Sequence, residues 1–115
     1  MKEVMAVIRP HKWQTTKKKL LELGISSYTV LRVYGRGRQK GLQYLNRNGP
    51  GTIGMRTIPK RLIWLWLQDD QVQNVVQTLI ESNKTGQIGD GKIFICPLEN
   101  AMRLRTGEMG LTAVA

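Results

Sequence analysis

Arg61 to Gln68 reads RLIWLWLQ, a near-continuous apolar run that predicts a β-strand with Trp64 and Trp66 on one side of it. Directly after it, Asp70 with Gln73 resembles a capping box. Val72, Val75, Val76, Leu79 and Ile80 then follow at i, i+3, i+4, i+7 and i+8, the spacing of an amphipathic helix. Lys92 to Cys96 predicts the next strand, and Pro97 closes it. Strand, helix, strand is therefore the grammar of the second half. The two indoles are open to two readings, packing in a core or subunit interface and a platform for stacking bases.

The first half repeats that grammar. Val4 to Arg9 alternates as a strand and Pro10 ends it, while Trp13, Leu20 and Leu23 recur at helical spacing before Gly24, a C-terminal stop. Thr29 to Tyr34 is β-branched and alternating, hence a second strand. Two pseudo-repeats in this order predict an α+β fold, a ferredoxin-like βαββαβ sandwich. From Gly35 to Thr57 no apolar period survives, and Gly49, Pro50, Gly51 and Gly54 punctuate the stretch. A connection of that length inside a compact domain is a functional arm or a flexible segment, and its effector part is placed at about 37–57.

The chain has 115 residues, one domain's worth, spanning 1–115. It has no run approaching a membrane span and no leader-like start, so a cytoplasmic location is expected. The single cysteine, Cys96, reads as a buried structural thiol in IFICP, and one histidine, His11, gives no zinc constellation. His11 also lacks a neighbouring carboxylate or nucleophile, and no paired acids suggest acid/base work, so no catalytic residue is assigned. Charge is uneven. Residues 1–61 carry 14 Lys and Arg against two acids, residues 62–115 carry 4 against 6, and the net is +10. An anionic partner follows, whether nucleic acid, nucleotide phosphates, an acidic metabolite or an acidic protein surface.

Glycine clusters narrow the class. TGQIGDGKIFI, Thr85 to Ile95, places three glycines and Lys92 ahead of an apolar strand. Such a loop either cradles an anion with backbone N–H groups or is a plain tight turn. Upstream, Gly35, Gly37 and Gly41 frame Arg36, Arg38, Gln39 and Lys40 in GRGRQKG; downstream, Arg103 and Arg105 stand two apart in RLRTGE. In an extended segment their guanidinium forks share a face and suit one polyphosphate.

Thr-x-x-x-Gly-Asp-Gly-Lys-Ile-Phe, with GRGRQKG before it, RxRTGE after it, the opening MKEVMAVIRPHK and the pair Pro59-Lys60, resembles the PII family of nitrogen-signalling proteins over nearly the whole chain. The resemblance implies a trimer that holds ATP or ADP in clefts between subunits. It assigns Gly35, Gly37, Arg38 and Gln39 to one wall with Thr29 near the base, and Gly89, Asp90, Gly91 and Lys92 to the other. Arg103 and Arg105, in a tail of about 103–115, would reach the phosphates from the adjacent chain. It further implies 2-oxoglutarate bound beside ATP through Mg2+, with Gln39 on the metal, Lys60 on the metabolite carboxylate and Arg9 assisting. Tyr44, Arg47 and Arg56 would belong to the partner-binding loop.

Departures from the family pattern carry information. Position 51, a nucleotidylated tyrosine in many bacterial members, is Gly51, and position 49, a phosphorylated serine in others, is Gly49, which excludes covalent control there. The acidic residue often found after the Pro-Lys pair is Trp64. MRTIPKRLI, IRPHK and RTGEMG are most similar to the branch encoded with nitrogenase, which implies nitrogenase as target and a homotrimer or a hetero-oligomer with a companion PII-like subunit. The alternative targets are an ammonium transporter and glutamine synthetase. The rival of another class is a basic RNA-binding ferredoxin-like domain, but the Lys/Arg-Gly-Phe/Tyr-x-Phe strand signature is missing and Phe94 is the only Phe. No nucleic acid is therefore expected.

Overall fold

In the computed structural model, which describes residues 1–36 and 57–114, four strands form one antiparallel sheet in the order β2-β3-β1-β4. The elements are β1 (Lys2–Ile8), a 3-10 turn (Pro10–Lys12), α1 (Trp13–Glu22), β2 (Thr29–Gly35), β3 (Ile58–Leu67), α2 (Asp69–Asn83), β4 (Gly91–Pro97) and a four-residue α3 (Leu111–Val114). This is the α+β ferredoxin-like arrangement that the sequence predicts. Strand limits move by up to three residues from the sequence reading. β3 begins earlier, at Ile58, because Pro59 faces Tyr34 and Lys60 faces Val33 within the ladder.

Register explains the core. β1 pairs Val4 with Leu65 and Ala6 with Ile63 on one side, and Val4 with Ile95 and Ala6 with Ile93 on the other. Partners share a face, so Val4, Ala6, Ile8, Ile63, Leu65 and Leu67 form an apolar floor that is at most 3% exposed. Leu20 from α1 and Val75 and Leu79 from α2 cover it. Fully burying each of these side chains contributes about 1.5–3 kcal/mol. Leu23, by contrast, is exposed at the C-cap of α1, because the helix ends before that position turns inward.

The two helices are also joined by polar groups. Asn83 Nδ2 donates to Thr16 Oγ1 at 3.1 Å and to Leu79 O at 2.9 Å, and Thr16 in turn donates to Lys12 O. Trp13 meets Tyr28 edge to face, with centroids 5.3 Å apart. The capping box of α2 lies two residues before the predicted one. Gln68 is the N-cap and exchanges hydrogen bonds with Gln71, since Asp70 is already inside the first turn.

The other face of the sheet carries Met5, Val7, Leu62, Trp64, Trp66 and Phe94 by the same alternation, and neither long helix covers it. Trp64 and Trp66 stack with centroids 5.2 Å apart, and Trp64 Nε1 donates to Glu3 Oε1 at 2.6 Å. Cys96 belongs to this open face and is partly exposed, which corrects the expectation of a buried thiol: β4 is an edge strand.

Candidate functional site

The strand order sets an open cleft of about 680 Å³ at one end of the sheet. Its walls are Gly35 and Arg36 at the end of β2, Lys60 on β3, Val7 on β1, Phe94 on β4 and the loop Gly86–Lys92. Val7 is opposite Leu62 and also opposite Lys92, so Lys60, two residues before Leu62, leaves the same face as Val7 and Lys92. Among the described residues, two lysines and one arginine therefore line the cleft, with Asp90 as the single acid.

Asp90 is spent on building the loop. Its Oδ2 accepts from the N–H groups of Thr85 at 2.7 Å and Gly86 at 2.9 Å, and its Oδ1 accepts from the Thr85 hydroxyl and from Arg9 Nη1 at 2.9 Å. The Thr85 hydroxyl, the two N–H groups and the Arg9 guanidinium hold its pKa down at about 2. Arg9 also donates to Ile88 O at 3.0 Å, so one guanidinium ties the end of β1 to both the acid and the backbone of the loop. With its negative charge neutralised internally, Asp90 leaves the field of Arg36, Lys60 and Lys92 unopposed.

Gly91 lets the loop enter the sheet. At φ +119° its missing Cβ would lie 1.9 Å from Val7 O, so any side chain there collides with β1. Lys60 is nearly buried and donates to Gly89 O at 2.8 Å. Burial lowers its pKa first and the Arg9 charge lowers it further, while Asp90 pulls the other way. A desolvated ammonium beside a glycine loop is a receptor for a carboxylate or phosphate oxygen.

The structure brings Gly35, Lys60, Gly89, Asp90, Gly91 and Lys92 together, with Arg9 behind Asp90. Thr29 sits at the far end of β2 from Gly35, opposite Trp64, and does not line the cleft of its own chain. Arg103 and Arg105 also stand apart from it. Arg103 belongs to a terminal turn, donating to Thr112 O at 2.9 Å and lying 3.5 Å from Glu108, while Arg105 is exposed. Gly37, Arg38, Gln39, Tyr44, Arg47 and Arg56 fall outside the described residues. Sequence reasoning assigned Asp90 to a wall of the cleft but missed its clamp onto Arg9, a pair 81 positions apart whose only signal was a lone acid in a basic setting. It also left out Val7 and Phe94, the apolar side of the cleft. No group of three or more His, Cys, Asp or Glu side chains suited to a metal ion occurs among the described residues.

Comparison with known proteins bears on this geometry. A family model described as "Nitrogen regulatory protein P-II" matches residues 1–108. The chain is 48% identical over 121 residues to the "Nitrogen fixation nifHD region GlnB-like protein 2" of Methanobacterium ivanovii, covering 99% of both. It is 43% identical over 114 residues to "Nitrogen regulatory protein P-II 2" of Methanothermobacter thermautotrophicus, covering 99% of this chain and 97% of that one. Among solved structures, the crystal structure of Arabidopsis thaliana PII bound to citrate aligns with a TM-score of 0.78 and 34% identity over 98% of this chain and 88% of that one. With a glycine loop clamped at the end of a ferredoxin-like sheet and similarity running almost end to end, the chain belongs to the PII family of nitrogen regulatory proteins, alongside members named for nitrogen-fixation gene regions.

Proposed function

We propose that this chain is a cytoplasmic, non-enzymatic sensor of ATP, ADP and 2-oxoglutarate that regulates nitrogenase by direct binding. The observation that carries the reading is the nearly buried Lys60 ammonium facing a glycine loop whose only acid is neutralised by Arg9. Such a site rewards a multiply charged anion, and among the described residues its one carboxylate, Asp90, is already held by Arg9 and does not hold a cation alone. Magnesium would fit only together with phosphate and oxo-acid oxygens; Gln39 would help to hold it, and it would supply a hard cation for anionic oxygens.

In this reading Gly35, Gly37, Arg38, Gly89, Asp90, Gly91 and Lys92 shape the nucleotide cleft, and Lys60, assisted by Arg9, meets the metabolite carboxylate. Thr29, Arg103 and Arg105 serve the cleft of a neighbouring copy, which accounts for their distance from their own. The uncovered apolar sheet face with Trp64, Trp66 and Phe94 supports an assembly of copies, as a homotrimer or with a companion PII-like subunit. The segment 37–57, with Tyr44, Arg47 and Arg56, carries the signal to the target. The nitrogen-fixation names of the relatives support nitrogenase as that target.

Calorimetry on the purified assembly tests the reading. ATP and ADP bind, 2-oxoglutarate binds only with ATP and Mg2+, and Arg103→Ala weakens ATP by about 1–3 kcal/mol, the scale of a lost charge-assisted hydrogen bond. An assembly that folds and binds no nucleotide overturns it.

A further inference from the structure

Arg32 on β2 and Arg61 on β3 are direct register partners, so both side chains leave the same face of the sheet from backbones about 5 Å apart. Like charges placed directly opposite destabilise a sheet unless something answers them. Nothing in the described structure does. Its four ion pairs lie elsewhere, and the one acid of α1, Glu22, is paired with Lys19. Nor does the sequence between hold a remedy, because no Asp or Glu occurs from Leu23 to Gln68. Arg32 is exposed, Arg61 is half-buried, and Tyr34, on the same face two residues along β2, is 72% exposed.

We propose that Arg32 and Arg61, with Tyr34, form a rigid docking face, fixed to the sheet, for an acidic helix of a partner protein. Carboxylates at i and i+4 of a helix stand about 5–6 Å apart, which matches two guanidinium forks on adjacent strands. Arg and Tyr are the residues that interfaces favour. A nucleic-acid backbone fits less well, because it needs a continuing track of cations. Here the pair is bounded along the strands by Val30 and Ile63 on one side and by Tyr34 and Pro59 on the other. The inference rests on the preceding reading only in taking the target to be a protein.

The test uses the full chain and a synthetic helical peptide with glutamates repeated at i and i+4, followed by fluorescence anisotropy, with ATP calorimetry alongside. Arg32→Gln/Arg61→Gln is expected to lose about tenfold or more in peptide affinity, as two bidentate pairs disappear. The charge-matched Lys17→Gln/Lys18→Gln on α1 stays within about twofold, since an exposed helix face contributes little. Each single arginine variant also melts higher than wild type at low salt, because repulsion is relieved; lower melting for both shows an internal partner and overturns the proposal. Equal losses in the two double variants, no peptide binding by wild type, or tighter Arg32/Arg61-dependent binding of duplex DNA than of peptide overturn it too. Arginine-dependent peptide binding by a chain that binds no ATP supports the docking face and refutes the sensor reading alone.

Discussion

Lys60 Nζ lies 2.8 Å from the carbonyl oxygen of Gly89, and this one hydrogen bond fastens the end of β3 to the loop that follows α2. That bond uses one of the ammonium's three N–H donors, so in the proposed function an anion would share Lys60 with the carbonyl, and its binding would be coupled to the set of the Gly86–Lys92 loop.

Lys60→Gln keeps a hydrogen-bond donor but removes the charge. The 2-oxoglutarate response should vanish while ATP affinity stays within a few-fold, read by calorimetry. The lowered pKa also has a sign: the folded ammonium releases its proton before the unfolded one does at the usual 10.5. Its destabilising cost is thus full below the folded value and is relieved as pH rises toward 10.5. Lys60→Met should flatten that alkaline gain in thermal stability.

Asp90 predicts the opposite edge of the pH scale. Its carboxyl titrates at about 2 rather than 3.8, so the order it imposes is complete above 3.8 and is lost as pH falls through about 2. Protection of the Thr85 and Gly86 amides, the two N–H groups that it accepts from, taken relative to the intrinsic exchange rate, should hold at pH 4 and fall toward pH 2. Asp90→Asn should speed both at every pH and weaken ATP. Unchanged exchange in that variant would show that the loop holds itself.

Gly91→Ala tests the close approach of loop and β1. With a Cβ colliding with Val7 O at a positive φ, the loss should be about 3 kcal/mol or more, which shifts the midpoint by well over 10 °C. Thermal melting checks it. Gly86→Ala, whose Cβ meets nothing within 4 Å, should cost only the backbone strain.

Thr16→Val separates stability from binding. It removes an acceptor from buried Asn83 Nδ2, leaving only Leu79 O, and should cost about 1–3 kcal/mol with nucleotide affinity unchanged. Denaturant unfolding and calorimetry on the same sample decide it.

How much of this was legible in the sequence follows from the range of each interaction. The β3 and α2 periods are local patterns and gave their elements, with the start of β3 three residues late. The capping box slipped because Asp70 and Gln73 imitate it, and only the reciprocal bonds of Gln68 and Gln71 identify the true N-cap. Cys96 looked buried because IFICP is apolar, yet edge position and an uncovered face are properties of strand order. The Arg9–Asp90 clamp and the Arg32–Arg61 opposition join distant positions through the sheet, so no window along the chain contains them. The proposed roles of Gln39, Tyr44, Arg47 and Arg56 rest on resemblance alone, because those residues lie outside the described structure.

The stacked indoles give the molecule a built-in optical reporter. Trp64 and Trp66, held 5.2 Å apart at 32°, are close enough for their excited states to couple, and Glu3 fixes the ring orientation of the first. Trp13 lies on the opposite side of the sheet against Tyr28 and contributes a separate background. In the proposed assembly of copies over that face, water would leave both rings at once. Emission should move to the blue, and the near-ultraviolet dichroism of the coupled pair should sharpen, so assembly and dissociation can be timed by stopped flow without attaching a dye.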